Sequence, residues 1–234
     1  MKPAALSLLA AAILAVPLAG CGDQRSSTST DDGHAAAATT TSTSRPDDAL
    51  VRAALVRLSD FPAGWTARPD DPNDFRCPAT AAVESRPYAK SDRFQPANGQ
   101  GAVQHEVSVF ASARAADAGL DALASPQTLA CFARQGEQSV RRQVAAGTQV
   151  GHVTALRLAN VAPSGDRTAG ARLAYPVSAN GTTTTIYEDF SFSRVGRGLS
   201  LFAFVTQGAP PDDTLTADLA RRGARRLRTA LGER

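Results

Sequence analysis

Two lysines, one tryptophan, one methionine, three histidines and three cysteines are all that the 234 residues hold of those types. So few histidines and cysteines leave too few ligands for a structural metal centre. Apart from Lys2 and Lys90 every basic residue is arginine, which together with the abundant alanine reads as the codon bias of a GC-rich genome rather than as function. The formal charge is only +3, and one positive charge belongs to Lys2 near the chain start, so no strong pull toward nucleic acid follows. Beyond the first twenty residues no stretch approaches the roughly 20 apolar residues that a membrane-spanning helix needs. Serine-elbow, zincin, phosphate-loop and dinucleotide motifs are all missing, so no catalytic signature and no cofactor is expected.

What is present begins with an address. Lys2 followed by the apolar run Ala4 to Leu18 has the form of a secretory signal, and Leu18-Ala19-Gly20-Cys21 resembles the bacterial lipobox. Residues 1–20 read as a lipoprotein signal peptide, with cleavage before Cys21 and diacylglyceryl attachment to its thiol. The alternative, an ordinary secretory signal with an incidental cysteine, ignores the agreement of position, small residues and thiol. Residues 21–46 read as a lipidated Ser/Thr/Ala tether without aromatic or large aliphatic side chains, unable to bury enough surface to order itself. As a flexible coil it spans about 25–30 Å. The expected location is the outer face of the cytoplasmic membrane, with the membrane as partner through the lipid.

Residues 47–234 are long enough for one domain with its own core. With Cys21 given to lipid, Cys77 and Cys131 remain as an even pair in an oxidising compartment, where a disulfide is expected. Two separately buried thiols are the alternative.

Asp47 and Asp48 open a helix with Leu50, Val51, Ala54, Leu55 and Leu58 on one stripe. Trp65 follows a Pro/Gly turn and is expected to pack on that helix. Cys77-Pro78 starts a short helix through Val83, and Val103 to Val109 alternate as a strand. Ser112 and Ser125-Pro126 cap two helices, the second ended by Gly147. A strand from about Val150 to Val161 places His152, Thr154, Leu156 and Leu158 on one side. Asn180-Gly181 marks a type I′ hairpin. Its register sets Val177 against Thr184, Tyr175 against Ile186, Leu173 against Glu188, Ala171 against Phe190, and Arg172 against Asp189. A last apolar strand runs from Leu199 to Thr206, and Pro210-Pro211-Asp212 introduces the final helix. The fold class is α+β, a twisted antiparallel sheet of about five strands flanked by helices.

The run Val107-Ser108-Val109-Phe110-Ala111-Ser112, then Ala115-Ala116 and Cys131, resembles the core of actinobacterial extracellular sensor domains, best known on PknH-type serine/threonine kinases. Arg194-Val195-Gly196-Arg197 before an apolar strand and a C-terminal helix fits the same group, over about residues 76 to 231. The resemblance implies a helix-packed antiparallel sheet and binding of an unidentified extracellular ligand. This sequence can form one disulfide where the kinase's sensor domain has two, and as a lipoprotein it is expected to lack the transmembrane link to a kinase, so direct signalling is not implied.

His105 and His152 lie on the apolar parity of their strands, the place of a core histidine with a satisfied ring. Any Ser-His-Asp arrangement would have to rest on one of them. Glu188 shares parity with Ile186 and Phe190, so it either sits at the sheet margin, pairs with an arginine, or joins His105 or His152 in a polar pocket. Dispersal of the three, each with a local partner, is the expectation. Arg221, Arg225 and Arg228 share one face of the last helix, either solvated or turned to anionic headgroups. The expected function is non-enzymatic binding of an unknown ligand or partner in the cell envelope. A lipid carrier with a large apolar cavity and an envelope hydrolase are the alternatives. If Cys21 is the anchor, Cys21→Ala leaves the protein unprocessed or shifts it from the membrane to the soluble fraction, read by fractionation and immunoblot. A processed variant that stays on the membrane removes the assignment.

Overall fold

The computed structural model describes residues 46–69, 76–84 and 86–233; the signal peptide, Cys21, His34 and the rest of the tether up to Arg45 lie outside the described residues. The elements in chain order are α1 (Pro46–Ala54), a 3-10 turn (Leu58–Asp60), β1 (Trp65–Arg68), α2 (Pro78–Glu84), β2 (Tyr88–Lys90), β3 (Arg93–Pro96), β4 (Gly101–Val109), α3 (Ala113–Leu123) and α4 (Pro126–Gln143). There follow β5 (Gln149–Val150), β6 (Thr154–Arg157), β7 (Arg167–Ala179), β8 (Thr182–Val195), β9 (Gly198–Gln207) and α5 (Asp213–Ala230).

Asn180 and Gly181 take positive φ, 51° and 75°, as a type I′ turn requires. The turn closes β7 on β8 in the expected register, from Ala179↔Thr182 through Leu173↔Glu188 to Arg172↔Asp189. β8 then pairs β9, and β9 pairs β4 over its whole length. The complete sheet has nine strands, ordered β1-β3-β4-β9-β8-β7-β5, with β2 also on β4 and β6 also on β7. Every pairing is antiparallel. The class is α+β, but five strands was too few. The additional ones are β1, β2 and β3, three or four residues each, and the expected Val150 to Val161 strand is divided into β5 and β6, of two and four residues. Such pieces are stabilised by their neighbours and show too little alternation of their own to be read.

Helices cover both faces. On one, α3 and α4 pack Leu120, Leu129 and Phe132 over Leu173, Tyr175, Phe190, Phe192 and Leu199. On the other, α1 and α5 bring Val51, Ala54, Ala224 and Leu227 onto Val107, Val109 and Val195, while Leu219 and Ala220 meet Phe94, Val103, Phe202 and Phe204. The caps are local chemistry: Ser112, Ser125 and Asp212 each accept a hydrogen bond from the backbone N–H three residues on, at 3.2, 3.2 and 2.7 Å.

Two packing expectations need correction. α1 stops at Ala54, so Leu58 falls on the 3-10 turn and stands 42% exposed instead of completing the helix stripe. Trp65 sits on Phe61, with ring centroids 4.9 Å apart, and Phe61 sits on Phe94 at 4.3 Å. The tryptophan therefore belongs to an aromatic row above β3 and not to α1.

Cys77 and Cys131 are bonded, with Cα atoms 6.0 Å apart, tying the start of α2 to α4. One turn further along α4 the Gln135 amide accepts from Arg76 N at 2.6 Å and donates to Arg76 O at 2.9 Å. The bond spans 54 positions in sequence, and a closed loop of that size is worth about 4 kcal/mol in the chain-entropy model. Replacing both cysteines by alanine is expected to lower stability by about 2–4 kcal/mol, read from urea midpoints. An unchanged midpoint would show that the bond contributes nothing to the fold.

Candidate functional site

His105 is fully buried in β4, stacked on Phe202 with centroids 4.1 Å apart. Its Nδ1 accepts from the Val56 N–H at 3.1 Å, so the ring proton sits on Nε2, which donates to Ser200 Oγ at 2.8 Å. Gly223 lets α5 settle on this stack, because a Cβ there would lie 2.6 Å from the Phe202 ring and 3.1 Å from His105 Nε2. Burial, aided by the Arg226 charge and opposed by Asp60, pushes the imidazole down to about 3. His105 is a neutral, satisfied core histidine.

Glu188 lies on the other side of the sheet. Cross-strand partners share a face, so Glu188 goes with Val205 and, through it, Ala102; His105, three residues beyond Ala102, points the opposite way. Tyr175 donates its hydroxyl proton to Glu188 Oε2 at 2.9 Å, beneath α4. Gly136 makes the room, since a Cβ at that position would collide with the phenol oxygen. Burial pushes Glu188 up to about 7, although the Tyr175 hydrogen bond and the Arg93 charge pull the other way. Burial and then the Glu188 charge also raise the Tyr175 phenol well above its ordinary range.

His152 is exposed, contrary to its expected parity. β5 and β6 both pair β7, with Val150↔Val177 and Thr154↔Ala174, so three residues, Gly151 to Val153, face only Tyr175 and Pro176. This bulge flips the alternation, burying Val153 and turning His152 and Leu156 outward. Its cause is Pro176. The Pro176 carbonyl accepts from Gly151 N at 2.8 Å, so the absent proline N–H faces the same neighbour and interrupts the ladder there. His105, His152 and Glu188 thus occupy two faces and the surface, and they form no common pocket.

The register also set Tyr175 diagonal to Glu188, a neighbour within reach of a long side chain, which the sequence reading passed over. The expected Arg172–Asp189 pair is bidentate, 2.7 and 2.6 Å, on the α5 face.

A different concavity opens between α1 and α5. Its volume is about 470 Å³ and it is lined by Ala53, Asp60, Arg222, Arg225, Arg226, Thr229 and Ala230. Arg226 reaches Asp60 at 2.8 Å, and the Arg57 N–H donates to the same carboxylate at 2.8 Å. Burial works against the Asp60 charge, but these two donors and the nearby Arg222 hold the carboxyl below its ordinary range. Of the three arginines expected to share one helix face, Arg221 pairs with Asp218, and Arg228 with Asp166 at 2.7 Å. Arg222 and Arg225 are exposed and have no carboxylate partner among the described residues. Three guanidiniums against one carboxylate leave the groove with two net positive charges. A second, apolar crevice between Val83, Leu123, Leu199 and Leu201 measures about 20 Å³, room for a water and not for a lipid chain.

Fully buried His105 and half-buried Glu188 give opposite pH dependences. Glu188 keeps its proton to about pH 7 in the fold but releases it near 4.5 when unfolded, so stability falls as pH rises through that window and stays lowered above it. His105 remains neutral to about pH 3 in the fold, whereas the unfolded chain takes up the proton near 6.5, so stability falls as pH drops from 6.5 toward 3. Glu188→Gln is expected to stabilise by about 1–3 kcal/mol at pH 8 and by little at pH 4. His105→Gln is expected to flatten the acid limb. Urea midpoints at pH 8, 6 and 4 measure both effects, and parallel pH profiles for the two variants and wild type would contradict them.

No helix among the described residues is long and apolar enough to cross a membrane, and no group of three or more His, Cys, Asp or Glu among them could hold a metal ion. No protein-family model and no curated protein matches the chain. Among solved structures, the chain is similar to LpqN, involved in cell envelope biogenesis of Mycobacterium tuberculosis, at 13% identity and a TM-score of 0.27, over 70% of this chain and 76% of that one. It is also similar to the extracellular domain of PknH from Mycobacterium tuberculosis, at 12% identity and a TM-score of 0.42, over 80% of this chain and 97% of that one. The PknH-type resemblance seen in the sequence is therefore met again among the solved structures, at low overlap.

Proposed function

We propose that the protein is a non-enzymatic binding domain of the cell envelope, held outside the cytoplasmic membrane by lipid on Cys21, and that its groove between α1 and α5 takes an anionic ligand. The observation that carries this reading is the pair Arg222 and Arg225, exposed beside a cavity of about 470 Å³ and lacking a carboxylate partner among the described residues. That volume lies in the range of small-ligand sites, and a lining of guanidiniums selects for phosphate- or carboxylate-bearing groups. Arg226, fixed by Asp60, adds charge without losing its position, and Thr229 supplies a hydroxyl. The neutral, sealed His105 and the phenol-bonded Glu188 serve the interior, which favours binding over hydrolysis.

Inorganic pyrophosphate, titrated calorimetrically into the mature chain at low salt, is expected to bind saturably. Arg222→Gln/Arg225→Gln is expected to weaken that binding at least tenfold, since each charge-assisted hydrogen bond is worth about 1.5–3 kcal/mol. Equal binding by the double variant, or no saturable binding by wild type, would remove the groove as the ligand site.

A further inference from the structure

Resting on the reading of the groove as an anion site, we infer that its occupant is the phosphate of an anionic phospholipid headgroup in the same membrane that carries the Cys21 anchor. The domain then lies with α1 and α5 against the bilayer.

The argument starts from where the tether enters the fold. α1 begins at Pro46, the first described residue and the last of the expected tether, and Asp47 is fixed there by Arg197 at 2.7 Å. Ala53 on the same helix lines the groove, about 10 Å further along at 1.5 Å per residue. The anchor and the positive groove therefore meet the domain on one helix. A tether of residues 22 to 46, read from the sequence as a coil of about 25–30 Å, holds the groove within reach of the headgroups. Tethering over that span presents them at an effective concentration on the order of millimolar, so a site of modest affinity is filled without a tight pocket.

The groove's form agrees with such an occupant. Ala53 and Ala230 are its only apolar lining residues and both are small, which leaves an open trough for a headgroup still attached to its lipid. Leu58, one of two large apolar side chains exposed among the described residues, stands on the 3-10 turn that supplies Asp60. An exposed leucine two residues from the Asp60 of an arginine-lined trough suits the boundary between headgroups and acyl chains, where apolar and basic side chains bind together.

The test uses the mature chain, residues 21–234, with Cys21→Ser so that no lipid holds it. Sedimentation with phosphatidylglycerol vesicles is expected, with little on phosphatidylcholine vesicles and loss in high salt. Arg222→Gln/Arg225→Gln is expected to reduce the partition coefficient about 10–30-fold. Arg221→Gln, whose side chain is already paired with Asp218, serves as the matched control and is expected to change it less than about threefold. Thermal melts establish that each variant is folded. Pyrophosphate binding without vesicle binding would overturn the membrane docking while leaving the anion site in place. Absence of both would overturn the two together, and vesicle binding equal in the double variant and the Arg221 control would overturn the assignment to this groove.

Discussion

Positive φ at two consecutive residues, Asn180 and Gly181, closes β7 on β8 with no slack, and period-two alternation then assigns every residue of β8 to a face. That assignment passes by hydrogen bonding to β9 and from β9 to β4, so three layers depend on one turn. Glu188 is directed toward α4, Asp189 toward α5, and His105, two strands away, toward Gly223. A slip by one residue would exchange these environments and set phenylalanines against polar partners.

The same register sends His105 and Glu188 to opposite faces of the sheet. His105 is satisfied by one backbone N–H and one hydroxyl, and Glu188 by a phenol, each within its own layer. A sheet lined on both faces by aromatics keeps the two apart. Charge outside any ion pair is found instead on the outer surface of α5, where Arg222 and Arg225 are bonded to no carboxylate among the described residues. These interior bonds specify the fold, and in the function proposed above it is the exposed helix face that meets a ligand.

The sequence carried the long elements because their signals are local. Ser112, Ser125 and Asp212 cap their helices within three residues, and the Asn180-Gly181 turn names its own register. The pairing of Cys77 with Cys131 followed from the oxidising compartment and the count. What escaped was set by distant partners. Pro176 breaks the ladder against a strand about two dozen residues earlier, so the parity of His152 could not be read from its own neighbours. β2 and β3 exist because β4 offers them an edge, and β1 because β3 in turn offers one. The arginine-rich helix was legible, but which arginines stay unpaired depends on Asp60 and Asp166, far away in the chain. The groove was invisible for the same reason.

The placement of β4 has a consequence for biogenesis. Its two neighbours come from opposite ends of the domain: β2 and β3 just before it in the chain, β9 nearly a hundred residues after. Pairings of such long sequence separation form late, because the intervening chain must first be brought round. A polypeptide threaded outward N-terminus first would present Val103, Val107 and Val109 with an open hydrogen-bonding edge until Gly198–Gln207 and then α5 arrive to cover them. For a chain threaded in that way the core would be completed only after its last strand and helix had emerged, and the interval before then is when it would most need shelter from its neighbours.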